Sequence, residues 1–68
     1  MVVSEEKKQK YIDMVHKEIE RRGYTPEQIP MVIGKTGFTK VMEQYPEEQM
    51  HYSIEDAVDE IMFVASLQ

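Results

Sequence analysis

The chain reads as an all-α, compact single domain of about four helices, with the second short and kinked at Pro30. Three observations predict this. Apolar residues recur at intervals of three and four in separate stretches, the period of one face of a helix. Helix-start signatures (Ser4, Thr25-Pro26 and Ser53) precede those stretches. No apolar–polar alternation persists beyond three residues, so nothing favours a strand. At 68 residues there is material for one domain only, spanning 1–68, with residues 1–3 expected to be disordered.

The first helix is predicted to start near Ser4, whose hydroxyl can accept from an unpaired N–H of the first turn. Glu5 and Glu6 follow, favoured by the positive end of the helix dipole, and Arg21 and Arg22 stand at the negative end. Gly23 supplies the stop. Ile12, Val15 and Ile19 form the apolar stripe, with Tyr11 at its edge. Glu6–Lys10, Asp13–Lys17 and Glu18–Arg22 are spaced as i,i+4 pairs, each adding about 0.2–0.5 kcal/mol.

A second helix start follows at once. Thr25 is the expected N-cap, Pro26 suits the first helical position, and Gln28 completes a capping box. Tyr24 and Ile29 are placed for a hydrophobic staple. Pro30 lacks an N–H and disfavours helical angles at Ile29, so this helix is expected to re-initiate or bend there and to end near Gly34. Met31, Val32 and Ile33 are its expected buried face, and Gly34 to Gly37 a turn.

The third helix is predicted from about Gly37 to Tyr45, with Phe38, Val41, Met42 and Tyr45 on one face and Pro46 as its breaker. Glu47 to His51 reads as a polar connection with room for one helical turn. The last helix starts at Ser53, where Asp56 three residues on suggests another capping box. Ile54, Ala57, Val58, Ile61, Met62 and Ala65 share one face. Phe63, Val64 and Leu67 then add apolar surface off it, and a helix apolar on most sides expects cover on most sides. The expected core is Ile12, Val15, Ile19, Ile29, Val32, Ile33, Phe38, Val41, Met42, Ile54, Val58 and Ile61.

Composition narrows the classes of function. A domain near this size buries only about 60% of its unfolded surface, so disulfides, metals or association usually assist it. With no cysteine, association is the remaining aid, and a reducing, cytoplasmic location fits. No apolar run approaches the roughly 20 residues that span a membrane, and the first residues are too polar for a signal peptide. Residues 1–24 hold six basic against five acidic residues, and residues 25–68 two against eight. This balance disfavours nucleic acid, whose backbone is bound by neutralising phosphates.

Candidate chemistry is sparse. Gly34-Lys35-Thr36 lacks the glycine that a phosphate-binding loop requires at position 29, and reads as a turn. His16 and His51 have no convergent set of three or four ligands fixed by neighbouring elements. Glu55, Asp56, Asp59 and Glu60 share one solvated helix face, whereas acid–base chemistry needs carboxylates in contrasting environments. No catalytic residue, cofactor, metal site or small-molecule substrate is therefore inferred. Residues 25–45 form helix, turn and helix, the alternative being a DNA-binding regulator that uses Thr39, Lys40 and Gln44 for contact. Lys7, Lys10, Met14, Lys17 and Arg21 recur along a second face of the first helix. They form either a solvated face or a basic docking stripe for an acidic partner or a neighbouring copy's acidic last helix.

Four segments together carry a likeness. They are GYTPEQ at 23–28, GFTKVMEQY at 37–45, Met50-His51, and IEDAVDEI at 54–61. The pattern resembles a family of small bacterial all-helical proteins, a domain of unknown function sometimes encoded beside toxin-like transferases. Residues 10–62 carry the resemblance, although the segment between Tyr45 and Met50 is longer than in that pattern. The resemblance implies an accessory or antitoxin-like binding role. The expected function is thus a small non-catalytic protein–protein interaction module that self-associates, in simplest form as a homodimer. Phe63 and Leu67, and the stripe residues Lys10, Met14, Lys17 and Arg21, are the expected partner-binding positions. Cover of Phe63 and Leu67 by the first helix or by Tyr11 within the monomer is the competing possibility.

Overall fold

A computed structural model describes residues 4–67; the expectation for residues 1–3 lies outside them. Five helices follow in order: α1 Glu5–Arg21, α2 Gln28–Thr36, α3 Phe38–Gln44, α4 Pro46–Gln49 and α5 Ile54–Ser66. Helix accounts for 78% of the described residues, which contain no strand. The count is one more than expected because the connection after Pro46 closes a full helical turn, with Pro46 at its start.

Local chemistry sets most of the boundaries. The Ser4 hydroxyl accepts from the Lys7 N–H at 3.2 Å, and the Ser53 hydroxyl from the Asp56 N–H at 3.1 Å. The return bond from the Ser53 N–H to the Asp56 carboxylate is not made, since aspartate is one methylene shorter than the glutamate of a full capping box. At Thr25 both halves form. The Gln28 N–H donates to Thr25 Oγ1 at 3.3 Å, and the Thr25 N–H to Gln28 Oε1 at 2.9 Å. The bracket encloses a turn, however, and α2 begins only at Gln28.

Pro30 does not interrupt α2, which is a correction to the expected break. It occupies the third helical position, inside the first turn, where the N–H that proline lacks has no intrahelical acceptor anyway. The helix therefore runs through Gly34 and Lys35 to Thr36, and the expected turn shrinks to Gly37. That residue holds φ +74° and is both the C-cap of α2 and the N-cap of α3. A side chain there would carry the strain of the left-handed region, which glycine avoids.

The core lies where α1 and α2 pack against α5, with α3 resting on α2. Val15, Ile19 and Val58 are fully enclosed, and Tyr11, Ile29, Ile33, Phe38, Met42, Ala57 and Ile61 complete the buried cluster. Two expectations shift. Ile12, Val32 and Ile54 pack against the cluster from partly exposed positions, and Val41 is also half-buried. Tyr11 and Ala57 take their places inside. Because α2 is continuous, Ile29 and Ile33 face inward together, and Met31 is turned out to 61% exposure. Tyr24 also packs, partly buried, against the cluster that contains Ile29.

Candidate functional site

Three surface features are built on this frame. The first is a groove of about 520 Å³ beside α5. The packing that joins α5 to α1 and α2, and α3 to α4, leaves α5 less closely packed against the α3–α4 pair. Phe38, Val41, Ala57, Ile61 and Val64 are its apolar lining, of which Phe38, Ala57 and Ile61 are buried. Asp56 and Glu60, both exposed, and the largely exposed Tyr52 are among the other lining residues. Ala57 matters because a methyl side chain at a buried position leaves depth that a larger residue would fill.

The second feature is the end of α5. Phe63 is 61% exposed and Leu67 69% exposed, so neither α1 nor Tyr11 covers them within the monomer. The third is the α1 stripe, where Lys10, Met14, Lys17 and Arg21 are all exposed. Among the described residues Lys10 and Lys17 have no ion-pair partner. Arg21 instead donates from Nε and Nη2 to the two Glu18 carboxylate oxygens at 2.8 and 2.7 Å. No hydrogen bond or ion pair joins this stripe to Phe63 or Leu67 among the described residues.

Beside the stripe an ion-pair network clamps α1 to α5. Arg22 Nε donates to Glu18 at 2.9 Å, and Arg22 Nη1 reaches Asp59 at 2.7 Å. Arg22 Nη2 also approaches the Glu55 carbonyl at 3.3 Å. The hydrogen bonds from Arg21 and then from Arg22 hold the Glu18 carboxyl down at about 2, and those from Glu18 raise both guanidinium groups above their ordinary value. Of the three expected i,i+4 pairs on α1, only Glu18–Arg22 forms. Lys8 pairs with Glu5 at 2.8 Å, and Asp13 accepts from Gln9 at 2.9 Å instead.

A second, smaller cleft of about 180 Å³ lies between α1 and α3 and includes the half-buried His16, whereas His51 is exposed. Among the described residues no group of three His, Cys, Asp or Glu side chains is arranged to hold a metal ion. None of the described helices is long and apolar enough to cross a membrane.

Sequence reasoning missed the groove and the role of Tyr11. The Tyr11 hydroxyl lies 3.0 Å from both the Gln49 and Tyr52 carbonyls, tying α1 to the chain that leads into α5. Its ring stacks on Phe38, centroids 6.5 Å apart. A tyrosine on the edge of an apolar stripe was the only signal. No family model, curated protein or solved structure matches this chain.

Proposed function

We propose that this protein is a non-catalytic interaction module that acts by binding protein and associates with a second copy of itself through the end of α5. The observation that carries the reading is the exposure of Phe63 and Leu67, four residues apart on one side of the helix. Apolar side chains so placed gain about 25 cal/mol for each Å² removed from water, and a two-fold pairing would bury both residues of each copy at once. Association costs subtract from that gain, so the dimer is expected at high protein concentration. The exposed basic stripe of α1 supplies charge for orienting an acidic partner. An accessory, antitoxin-like role is the form of binding that the family resemblance adds.

DNA binding through α2 and α3 is less well supported. Their joint is the single residue Gly37, shorter than the three- or four-residue turn of that motif. The exposed side chains of α3 (Thr39, Lys40, Glu43 and Gln44) carry no net charge. Sedimentation tests the leading reading. Wild type is expected to dimerise as concentration rises, and Phe63→Asp to remain a folded monomer. A wild-type monomer at millimolar concentration, or loss of fold in Phe63→Asp, would overturn it.

A further inference from the structure

We infer that the groove between α5 and the α3–α4 pair receives an amphipathic helix of a partner protein, one whose apolar stripe is flanked by Lys or Arg. This surface is separate from Phe63 and Leu67, neither of which lines it, so the inference goes beyond self-association.

Shape is the first argument. The α5 side of the groove runs from Asp56 to Val64, about 12 Å at 1.5 Å per helical residue, which matches two turns of a helix lying alongside. Ala57, Ile61 and Val64 present i,i+4 and i,i+3 spacing along that wall. Between such side chains the apolar residues of an incoming helix can seat, the mode of helix-in-groove recognition. Phe38 and Val41 of α3 also line the groove, so apolar side chains come from both α3 and α5, and the volume of about 520 Å³ accepts several side chains.

Charge selects the occupant. Asp56 and Glu60, exposed and four residues apart on α5, both line the groove, and among the described residues neither has an ion-pair partner. Asp59, on another side of the same helix, is by contrast already held by Arg22 at 2.7 Å. Residues 25–68 as a whole hold eight acidic against two basic side chains, which favours a basic visitor and repels an acidic one. A second copy of this chain fits poorly. Its one basic helix face, on α1, offers Met14 as the single apolar residue among Lys7, Lys10, Lys17 and Arg21, too little to fill the groove.

The test uses the whole chain and three synthetic helical peptides. One has leucines at i, i+4 and i+7 flanked by lysines, the second has glutamates in place of the lysines, and the third is a scramble of the first. The lysine peptide is expected to bind in fluorescence anisotropy, to shift the amide resonances of Val41, Ala57, Ile61 and Val64, and to weaken as salt rises. Asp56→Lys with Glu60→Lys is expected to weaken the lysine peptide about tenfold or more and to favour the glutamate peptide. Asp56 also sits in the first turn of α5, where negative charge is favourable. Glu60→Lys alone, in the middle of the helix, therefore preserves the test if the double variant folds poorly. Four results would overturn the assignment: no binding of the lysine peptide, equal binding of the glutamate or scrambled peptide, resonance shifts centred away from the groove, or loss of self-association in Glu60→Lys. The last would give the groove to a second copy. Failure of Phe63→Asp to alter sedimentation would instead concern the α5 end and leave the groove untouched.

Discussion

At the scale of single residues, Tyr11 and Glu18 do more than their positions on α1 suggest. Tyr11 places its hydroxyl within 3.0 Å of two carbonyls nearly forty residues away, while its ring sits in the core. Tyr11→Phe keeps the packing and removes the hydroxyl, leaving the Tyr52 carbonyl without that donor. The expected loss is about 1 kcal/mol, read as a lower denaturant midpoint with an unchanged slope; an unchanged midpoint would show the bond to be worthless. Glu18 gives a pH signature. Its carboxyl is held at about 2 in the fold, below its unfolded value of about 4.3. The stabilisation is therefore present above the unfolded value and is lost as pH falls toward the folded one. Wild type should lose melting temperature between those limits more steeply than Glu18→Gln. Parallel melting-versus-pH curves would mean that Arg21 and Arg22 leave Glu18 unperturbed in solution.

At the scale of elements, the caps can be ranked. Ser53 stands at the start of the helix that carries most of the core contacts, and Thr25 fixes the turn into α2 through a reciprocal pair of bonds. Thr25→Ala and Ser53→Ala are each expected to cost about 0.5–2 kcal/mol in urea melts. Ser4→Ala should cost less, since N–H groups released at the first turn of α1 can bond to water. Equal neutrality of all three would contradict the capping geometry. Pro30 carries a related lesson about reading elements. Proline is a breaker in a helix interior but harmless in a first turn, and it is the start of α2 at Gln28 rather than Pro26 that brings Pro30 into that turn. The late start is why Ile29 and Ile33, not Met31, became the buried face.

At the scale of the whole molecule, the core is small and every large member counts. Ile61 and Phe38 each bury all but a few per cent of their surface, and truncation of such residues to alanine costs about 2–5 kcal/mol. Total stability for a domain of this kind is near the low end of about 5–15 kcal/mol, so Ile61→Ala or Phe38→Ala is expected to leave the chain largely unfolded by circular dichroism. A cooperative melt near that of wild type would remove the residue from the core. Self-association adds a further signature. If the dimer forms through Phe63 and Leu67, melting temperature rises with protein concentration by mass action, and Phe63→Asp removes the dependence without removing the melt.

The helical class, the ends of α1, the break at Pro46 and the Ser53 start could all be read from the chain, because each depends on residues within one or two turns of one another. The stripe of α1 and the off-face position of Phe63 and Leu67 were legible for the same reason: helical period alone assigns a face. Whether Phe63 and Leu67 were covered was not legible, since that depends on where α1 crosses α5. The same holds for the partial exposure of Ile12, Val32, Val41 and Ile54 and the burial of Tyr11 and Ala57, for the Arg22–Asp59 clamp, and for the groove. The groove is lined by residues of α2, α3, α4 and α5, elements that come together only in the folded chain. Local spacing specifies which side chains share a face. Only the packing of helices distant in sequence decides which faces meet and which remain open.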